Sequence, residues 1–372
     1  MLPQVAGLTR PTVSSQDADM AQWVQRLHAK GAIDRAGEVL TRWWTGDATL
    51  EQDVLLNSID VVQNWRTSHA FPLNTFQVNL RNRARRVESD ALVAQRLKRF
   101  SSMMNKLARE PQMKLSQMQD LGGCRAIMSG IEAVDRLFAL YRGHSAETLF
   151  ESEGFLKCYD YIREPKRDGY RGVHVVGRYF ARREVSQPWD GYRIEVQLRS
   201  RLQHAFATTV ETVTTFTREP LKFGGGPDEW KRFFSLMGSA LAIREGTAIV
   251  PGTPKDQGEL TRELREITKQ LKVRPRLAGW ARALKRLPRR NVKRFKYLLL
   301  VLNVTDNTIK VTGFIDRRRA GQALNELEKT KREDLDAVLV WVDSVRELKA
   351  AYPNYYADTG QFINALNLAL RA

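Results

Sequence analysis

Two stretches of the 372-residue chain, Val173–Phe180 and Tyr192–Arg199, alternate apolar and polar side chains, with Pro188, Asp190 and Gly191 between them. Alternation at period two sends successive side chains to opposite faces of a strand, and a Pro/Gly break between two such runs turns the chain back. The pattern therefore predicts a pair of neighbouring strands, and it sets Glu195 and Gln197 on one face of the second. A shorter apolar run, Cys124–Met128, predicts a further strand with Asp120 just ahead of it. Two carboxylates, Asp120 and Glu195, are thereby placed to meet at the end of one sheet.

Around this strand-rich middle the apolar spacing changes to three and four residues, which is the signature of amphipathic helices. It predicts helices at Ala18–Lys30, at Leu50–Ser68 (Leu55, Ile59, Val62 and Trp65), at Ile131–Tyr141 and at Leu202–Thr217. It also predicts one long helix over Ser89–Arg109, with Leu92, Leu97, Phe100, Met104 and Leu107 as its apolar stripe. Gly224–Pro227 reads as a loop, and no Gly-Lys-Ser/Thr follows its three glycines, so it is not a phosphate loop. Pro and Gly at 250–258 mark a break, followed by a charged helix and a basic segment. Beyond Asn291 the pattern predicts strands at Phe295–Asn303, Thr308–Phe314 and Ala337–Asp343, and helices at Arg317–Lys331, Ser344–Ala351 and Thr359–Leu370. The expected class is α+β: a mixed β-sheet core flanked by helices over residues 1–255, a basic helical connector over 256–290, and a small α+β module over 291–372.

Lys and Arg number 60 against 42 Asp and Glu, a formal charge of +18. Two segments carry that whole excess: Lys272–Lys296 holds 11 basic residues and no acidic one, and Arg81–Arg109 contributes a net +7. A polyanionic partner follows, nucleic acid or nucleotides, with an anionic membrane surface as the weaker reading. A basic run is equally a solvated helix face or a linker, and composition does not separate these. Within the run, Trp280 and Phe295 read as packing residues. Two cysteines, Cys124 and Cys158, make no disulfide framework, and no apolar run is long enough to span a bilayer, so a cytoplasmic setting is expected.

Four blocks carry the chemistry: Arg96 to Lys106; Gln119-Asp-Leu-Gly-Gly-Cys-Arg125; Tyr159 to His174, with Asp-Tyr-Ile-Arg-Glu-Pro-Lys-Arg-Asp-Gly-Tyr-Arg inside it; and Ile194-Glu-Val-Gln-Leu-Arg-Ser-Arg-Leu-Gln-His204. They supply two acids, many cations and Tyr170 after a Gly turn. Transfer of a phosphate-containing group needs this combination: carboxylates to hold Mg²⁺, cations to neutralise the polyphosphate, and a group to receive the proton of the attacking hydroxyl.

In order and spacing these blocks resemble those of the RelA/SpoT-type alarmone synthetases, over about residues 75–215. The resemblance implies a nucleotidyltransferase-like synthetase core using ATP and Mg²⁺. Asp120 and Glu195 would hold the metal, with Glu195 also acting as base. Arg96 and Arg125 would sandwich the adenine, which a planar guanidinium allows. Lys98, Ser102 and Lys106 would hold the phosphates, one helical turn apart on one side of the long helix. Tyr170 would stack on the acceptor's base, with Lys166, His174 and Gln197 beside it.

Two departures bear on the substrate. Residues 1–80 are few and hold no His-Asp pair, so no hydrolase segment is expected ahead of these blocks, and Thr208 stands where housekeeping relatives usually place a Glu, which weakens a guanosine acceptor. The layout is similar to the toxic small alarmone synthetases, in particular the fused toxin–antitoxin CapRel type. That likeness implies pyrophosphate transfer from ATP to the 3′ end of tRNA, and a zinc-finger-like C-terminal module without zinc. Residues 291–372 indeed contain neither Cys nor His. It implies that Tyr352 and Tyr355 hold the enzyme off, and that a phage capsid protein releases it. Arg282, Lys285, Arg286, Arg289 and Arg290 would then meet the acceptor stem of tRNA, with no membrane involved. The alternative is a small alarmone synthetase making (p)ppGpp or (p)ppApp.

Overall fold

The computed structural model describes residues 23–142, 153–217, 228–286, 295–303, 308–316, 319–320, 322–323, 326–327, 335–341 and 355–371. The chain divides into two compact units, one of residues 1–126, 135–159 and 174–198, the other of residues 127–134, 160–173 and 199–372.

The first unit opens with helices α1 (Lys30–Trp44), α2 (Gln52–Thr67) and α3 (Ala70–Val87). Residues 23–29 are not helical, so the expected helix at Ala18–Lys30 gives way to one that starts where it should end. The core-facing positions Ile33, Ala36, Gly37 and Leu40 lie further along. Helix α3, not expected from the sequence, buries Leu73, Phe76, Leu80 and Ala84 at spacings of three and four, a signal diluted by the arginines at 81, 83, 85 and 86.

The expected long helix at Ser89–Arg109 is corrected. Its first part is strand β1 (Leu92–Leu97), and helix α4 runs only from Phe100 to Arg109. The backbone explains why. Lys98 N–H donates to Leu121 O at 2.7 Å, Arg66 Nε donates to Lys98 O at 2.6 Å, and Arg99 is extended at φ −69°, ψ 149°. Sheet pairing thus overrides an apolar spacing that fits a helix.

Strands β2 (Gly122–Met128), β3 (Glu153–Asp160), β4 (Val173–Tyr179) and β5 (Arg193–Ser200) join β1 in a mixed five-stranded sheet of order β1-β2-β5-β4-β3. The expected β4–β5 pairing is present, tied at its turn by Tyr179 N–H to Tyr192 O at 2.8 Å and Gly191 N–H to Tyr179 O at 2.9 Å. Beside it, Trp65, His69 and Tyr192 meet with ring centroids 4.5–5.0 Å apart, and Tyr192 Oη donates to Ser68 Oγ at 2.9 Å. Helix α5 (Ile131–Arg142) follows β2 as expected.

The second unit holds α6 (Arg201–Thr217), α7 (Asp228–Arg244), α8 (Gln257–Gln270) and α9 (Val273–Arg286), then strands β6 (Tyr297–Asn303), β7 (Thr308–Phe314) and β8 (Leu335–Trp341), and helix α10 (Tyr355–Ala369). Asp256 caps α8 by accepting from Glu259 N–H at 2.8 Å. The three strands form an antiparallel sheet of order β7-β6-β8. One core runs through Phe206, Phe233, Phe234, Trp280, Leu298, Leu300, Phe362 and Leu366. Trp280 is a packing residue as read, stacked on Phe216 at 4.9 Å and 3°. Helix α10 packs on α6, where Asp358 Oδ2 lies 3.4 Å from both His204 Nε2 and Thr208 Oγ1. The expected helix at 317–331 is only partly within the described residues, and that at 344–351 lies outside them. Among the described residues no helix is long and apolar enough to cross a membrane.

Two measurements test this packing. Phe362→Ala, at a site only 1% exposed, is expected to cost about 3–5 kcal/mol in urea unfolding. Burial lowers His69 to about 4, so the unfolded chain takes up a proton that the folded chain refuses. Stability from this group is complete above its ordinary value near 6.5 and is lost as pH falls towards 4, by about 3 kcal/mol in total. Urea midpoints at pH 7 and 4.5 should differ less in His69→Gln than in the unaltered protein.

Candidate active site

Strand β2 opens at a glycine packed against side chains of its neighbours. A Cβ at Gly122 would stand 2.6 Å from Ile194 Cδ1 and 3.4 Å from Leu73 Cβ. Strands β2 and β5 are neighbours in the sheet, and the acids they carry come together with them. Asp120 immediately precedes the Leu121–Gly122 entry to β2. Glu195 follows Ile194 on β5, whose alternation leaves Glu195 and Gln197 half-buried between buried Ile194, Val196 and Leu198.

Each carboxylate is held by named partners. Asp120 Oδ2 accepts from Lys98 Nζ at 2.5 Å and Oδ1 from Lys106 Nζ at 3.0 Å. Burial pushes the Asp120 carboxyl up and Glu195's charge adds to that, but the two ammoniums hold it below its ordinary range. Glu195 Oε1 accepts from His174 Nδ1 and Oε2 from Gln197 Nε2, both at 2.8 Å. Against burial, which raises it, the His174 and Gln197 hydrogen bonds and the charge of Lys98 hold Glu195 at about 2. Both acids are thus ionised near neutrality, close enough for their charges to act on each other, with Lys98 acting on both.

Lys98, Lys106, Asp120, His174, Glu195 and Gln197 accordingly form one constellation. Lys98 is not on the helix of Lys106, as the sequence suggests. It sits in the extended link between β1 and α4 and reaches Asp120 from there, while Ser102 and Lys106 lie one turn apart on α4. Arg96 is exposed on β1, and Arg125 is half-buried on the neighbouring strand β2.

A second cluster belongs to the other unit. Lys166 Nζ lies 4.2 Å from the Tyr161 ring centroid and 5.5 Å from that of Tyr170, and the two rings meet edge to face at 5.9 Å. Arg199 Nη2 donates to Tyr170 Oη at 2.6 Å. Tyr161 and Arg199 both lie inside the sequence blocks, but nothing in their spacing singles them out. Of the basic run, Arg282 is half-buried on α9, and Lys285 and Arg286 end that helix. Arg289, Arg290 and Tyr352 lie outside the described residues. Tyr355 opens α10, and its side chain is likewise outside them.

Among the described residues no three of His, Cys, Asp and Glu gather as a metal cage. Mg²⁺ does not require one: it binds through one or two carboxylates, with substrate phosphates and water completing its shell. Ionised Asp120 and Glu195 fit that requirement.

Residues 95–218 match the sequence family described as "Region found in RelA / SpoT proteins". That span contains both carboxylates and every residue of the two clusters. Over that third of the chain the residues are those of a RelA/SpoT-type region, which supports pyrophosphotransferase activity. Among solved structures, the small alarmone synthetase 1 from Bacillus subtilis bound to its product pppGpp is 19% identical, with 56% of this chain and 97% of that one covered at a TM-score of 0.40. The small alarmone synthetase 2 from the same organism is 18% identical over 49% and 92% at 0.39. A GTP pyrophosphokinase family protein from Streptococcus pneumoniae is 19% identical over 55% and 91% at 0.38. No curated protein matches the chain.

Asp120→Asn removes the charge that separates two ammoniums. It is expected to lower stability by about 1–3 kcal/mol in urea, and Lys106→Met in the same background should recover part of that loss.

Proposed function

We propose that the protein is an ATP-dependent pyrophosphokinase whose acceptor is the 3′ end of tRNA, held inactive in cis by residues 291–372 and released when a phage capsid protein binds them. The observation that carries the catalytic half is the pair of ionised carboxylates, Asp120 and Glu195, set among Lys98, Lys106 and His174.

In this reading an acceptor hydroxyl attacks the β-phosphorus of ATP, the bond from that phosphorus to the oxygen bridging to the α-phosphate breaks, and AMP leaves. Asp120 and Glu195 would hold Mg²⁺, which neutralises charge on the polyphosphate. Lys98 and Lys106 exchange their hold on Asp120 for one on the phosphates as ATP enters, and Ser102 stands beside them. Arg96 and Arg125 stack on the adenine. Glu195, held at about 2, stays an anion at any working pH. It orients the acceptor hydroxyl by accepting its hydrogen bond more than it extracts the proton, which suits a loose phosphoryl transition state that asks for little base strength.

The tRNA acceptor is supported by the basic run Lys272–Lys296, which exceeds what a nucleotide needs, and by Thr208 on α6. Tyr352 and Tyr355 are assigned the inhibitory contact, and Arg282, Lys285, Arg286, Arg289 and Arg290 the acceptor stem. One observation favours a second reading, synthesis of (p)ppGpp or (p)ppApp: the compact Tyr161–Lys166–Tyr170 cluster suits a single base.

The deciding experiment incubates the full chain and its Tyr355→Ala variant with γ-labelled ATP and tRNA, GDP, GTP or ATP as acceptor. Label on the tRNA 3′ end, greater in Tyr355→Ala and reduced about 10²–10⁴-fold by Glu195→Gln, is the expected result. Label only on free nucleotides would replace the tRNA acceptor with the second reading, and equal transfer by the two chains would remove the cis inhibition.

A further inference from the structure

We propose that Arg199 is a positioning residue for the acceptor: it fixes the Tyr170 ring as a stacking surface, and so sets acceptor affinity without taking part in transfer. The proposal rests on the reading of Tyr170 as the residue that stacks on the acceptor's base.

A stacking tyrosine binds through its ring, and its hydroxyl adds nothing to the stack. Here the hydroxyl is nevertheless engaged, at 2.6 Å, by Arg199 Nη2, whose guanidinium carbon lies 5.1 Å from the centre of the same ring. Arg199 is only 6% exposed, and a guanidinium taken that far from water is costly unless its hydrogen bonds are well aimed. One N–H of the guanidinium, from Nη2 to the hydroxyl, restrains the swing of the ring about its own stem.

The backbone beneath the ring is fixed as firmly. Asp168 Oδ1 accepts from Tyr170 N–H at 2.9 Å. Gly169 takes φ +83° so close to α7 that a Cβ there would fall 2.4 Å from Phe234 O. Ser235 Oγ donates to Arg167 O at 2.6 Å. On the other side Arg171 donates to Ala248 O at 2.6 Å, to Ile162 O at 3.1 Å and to Thr247 Oγ1. Backbone and hydroxyl are therefore both pinned, and two of the pins, α7 and the turn after it, lie beyond residue 218 where the family match ends. Beside the ring, Lys166 sets an ammonium over Tyr161. An aromatic face with a cation next to it suits a nucleobase that carries phosphate.

The test measures, on the full chain, the dissociation constants of GDP and of a tRNA acceptor-stem hairpin ending in adenosine, together with turnover at saturating probe. Arg199→Ala is expected to weaken the bound probe about ten-fold with saturated turnover within two-fold of the unaltered protein, and Arg199→Lys should do the same in part. Tyr170→Phe, which keeps the ring and removes the hydroxyl, should weaken it similarly, and Arg199→Ala added to it should cost little more. Unchanged affinity in Arg199→Ala, a loss of turnover without a loss of affinity, or additive effects in the double variant would overturn the proposal. If Arg199→Ala does not fold, Tyr170→Phe decides alone, since unchanged affinity there leaves the bond without a role. Tyr170→Ala separates the two readings: if it binds both probes normally, the stacking assignment has failed before Arg199 is in question.

Discussion

The pairing of strands β2 and β5 is the constraint on which the catalytic arrangement depends. Where they meet, the end of the Ile194 side chain fills the space beside Gly122, and Leu73 of helix α3 closes it from the other side. The carboxylates attached to these strands, Asp120 and Glu195, come near enough to feel each other's charge. A larger residue at position 122 would press on the end of Ile194, the neighbour of Glu195 in the strand.

Bringing two anions together in a half-buried place raises an electrostatic problem, and the chain solves it differently for each acid. Asp120 is neutralised by full charges from Lys98 and Lys106. Glu195 is held mainly by directed hydrogen bonds from His174 and Gln197, which orient it as well as stabilise its charge. The first arrangement is exchangeable, because an ammonium can pass from carboxylate to phosphate with little movement. The second is fixed, because a ring nitrogen and an amide lock the carboxylate plane. One acid is thus ready to trade partners while the other keeps its aim.

What could be read in the sequence follows from how local each signal is. The β4–β5 pairing and the shared face of Glu195 and Gln197 rest on a period of two over a few residues, and the structure keeps both. The segment Leu92–Leu107 misleads because its apolar spacing fits a helix throughout, while the deciding contact, Lys98 with Leu121 and Arg66, is made by distant backbone and side-chain groups. Helix α7, also unexpected, buries Trp230, Phe233, Phe234 and Met237 at spacings of three and four, yet its start at Asp228 directly follows the glycine run. Arg199 and Tyr161 are ordinary members of a strand and a turn until tertiary contacts give them work. Arg199 meets a hydroxyl 29 positions earlier in the chain. Spacing carries the sheet and the carboxylates, and long-range contacts carry the rest.

The way α10 completes the core of the second unit has a consequence for synthesis. Helices α6 and α7 present Phe206, Phe233 and Phe234 to Phe362, and Asp358 meets Thr208 across 150 positions of chain. A ribosome adds roughly 5–20 residues each second, so α6 waits seconds between leaving the tunnel and meeting its cover. During that interval the growing chain carries a row of bare aromatic rings. That apolar surface stays open until α10 emerges, and a chain cut short before α10 lacks the cover that Phe362 gives it.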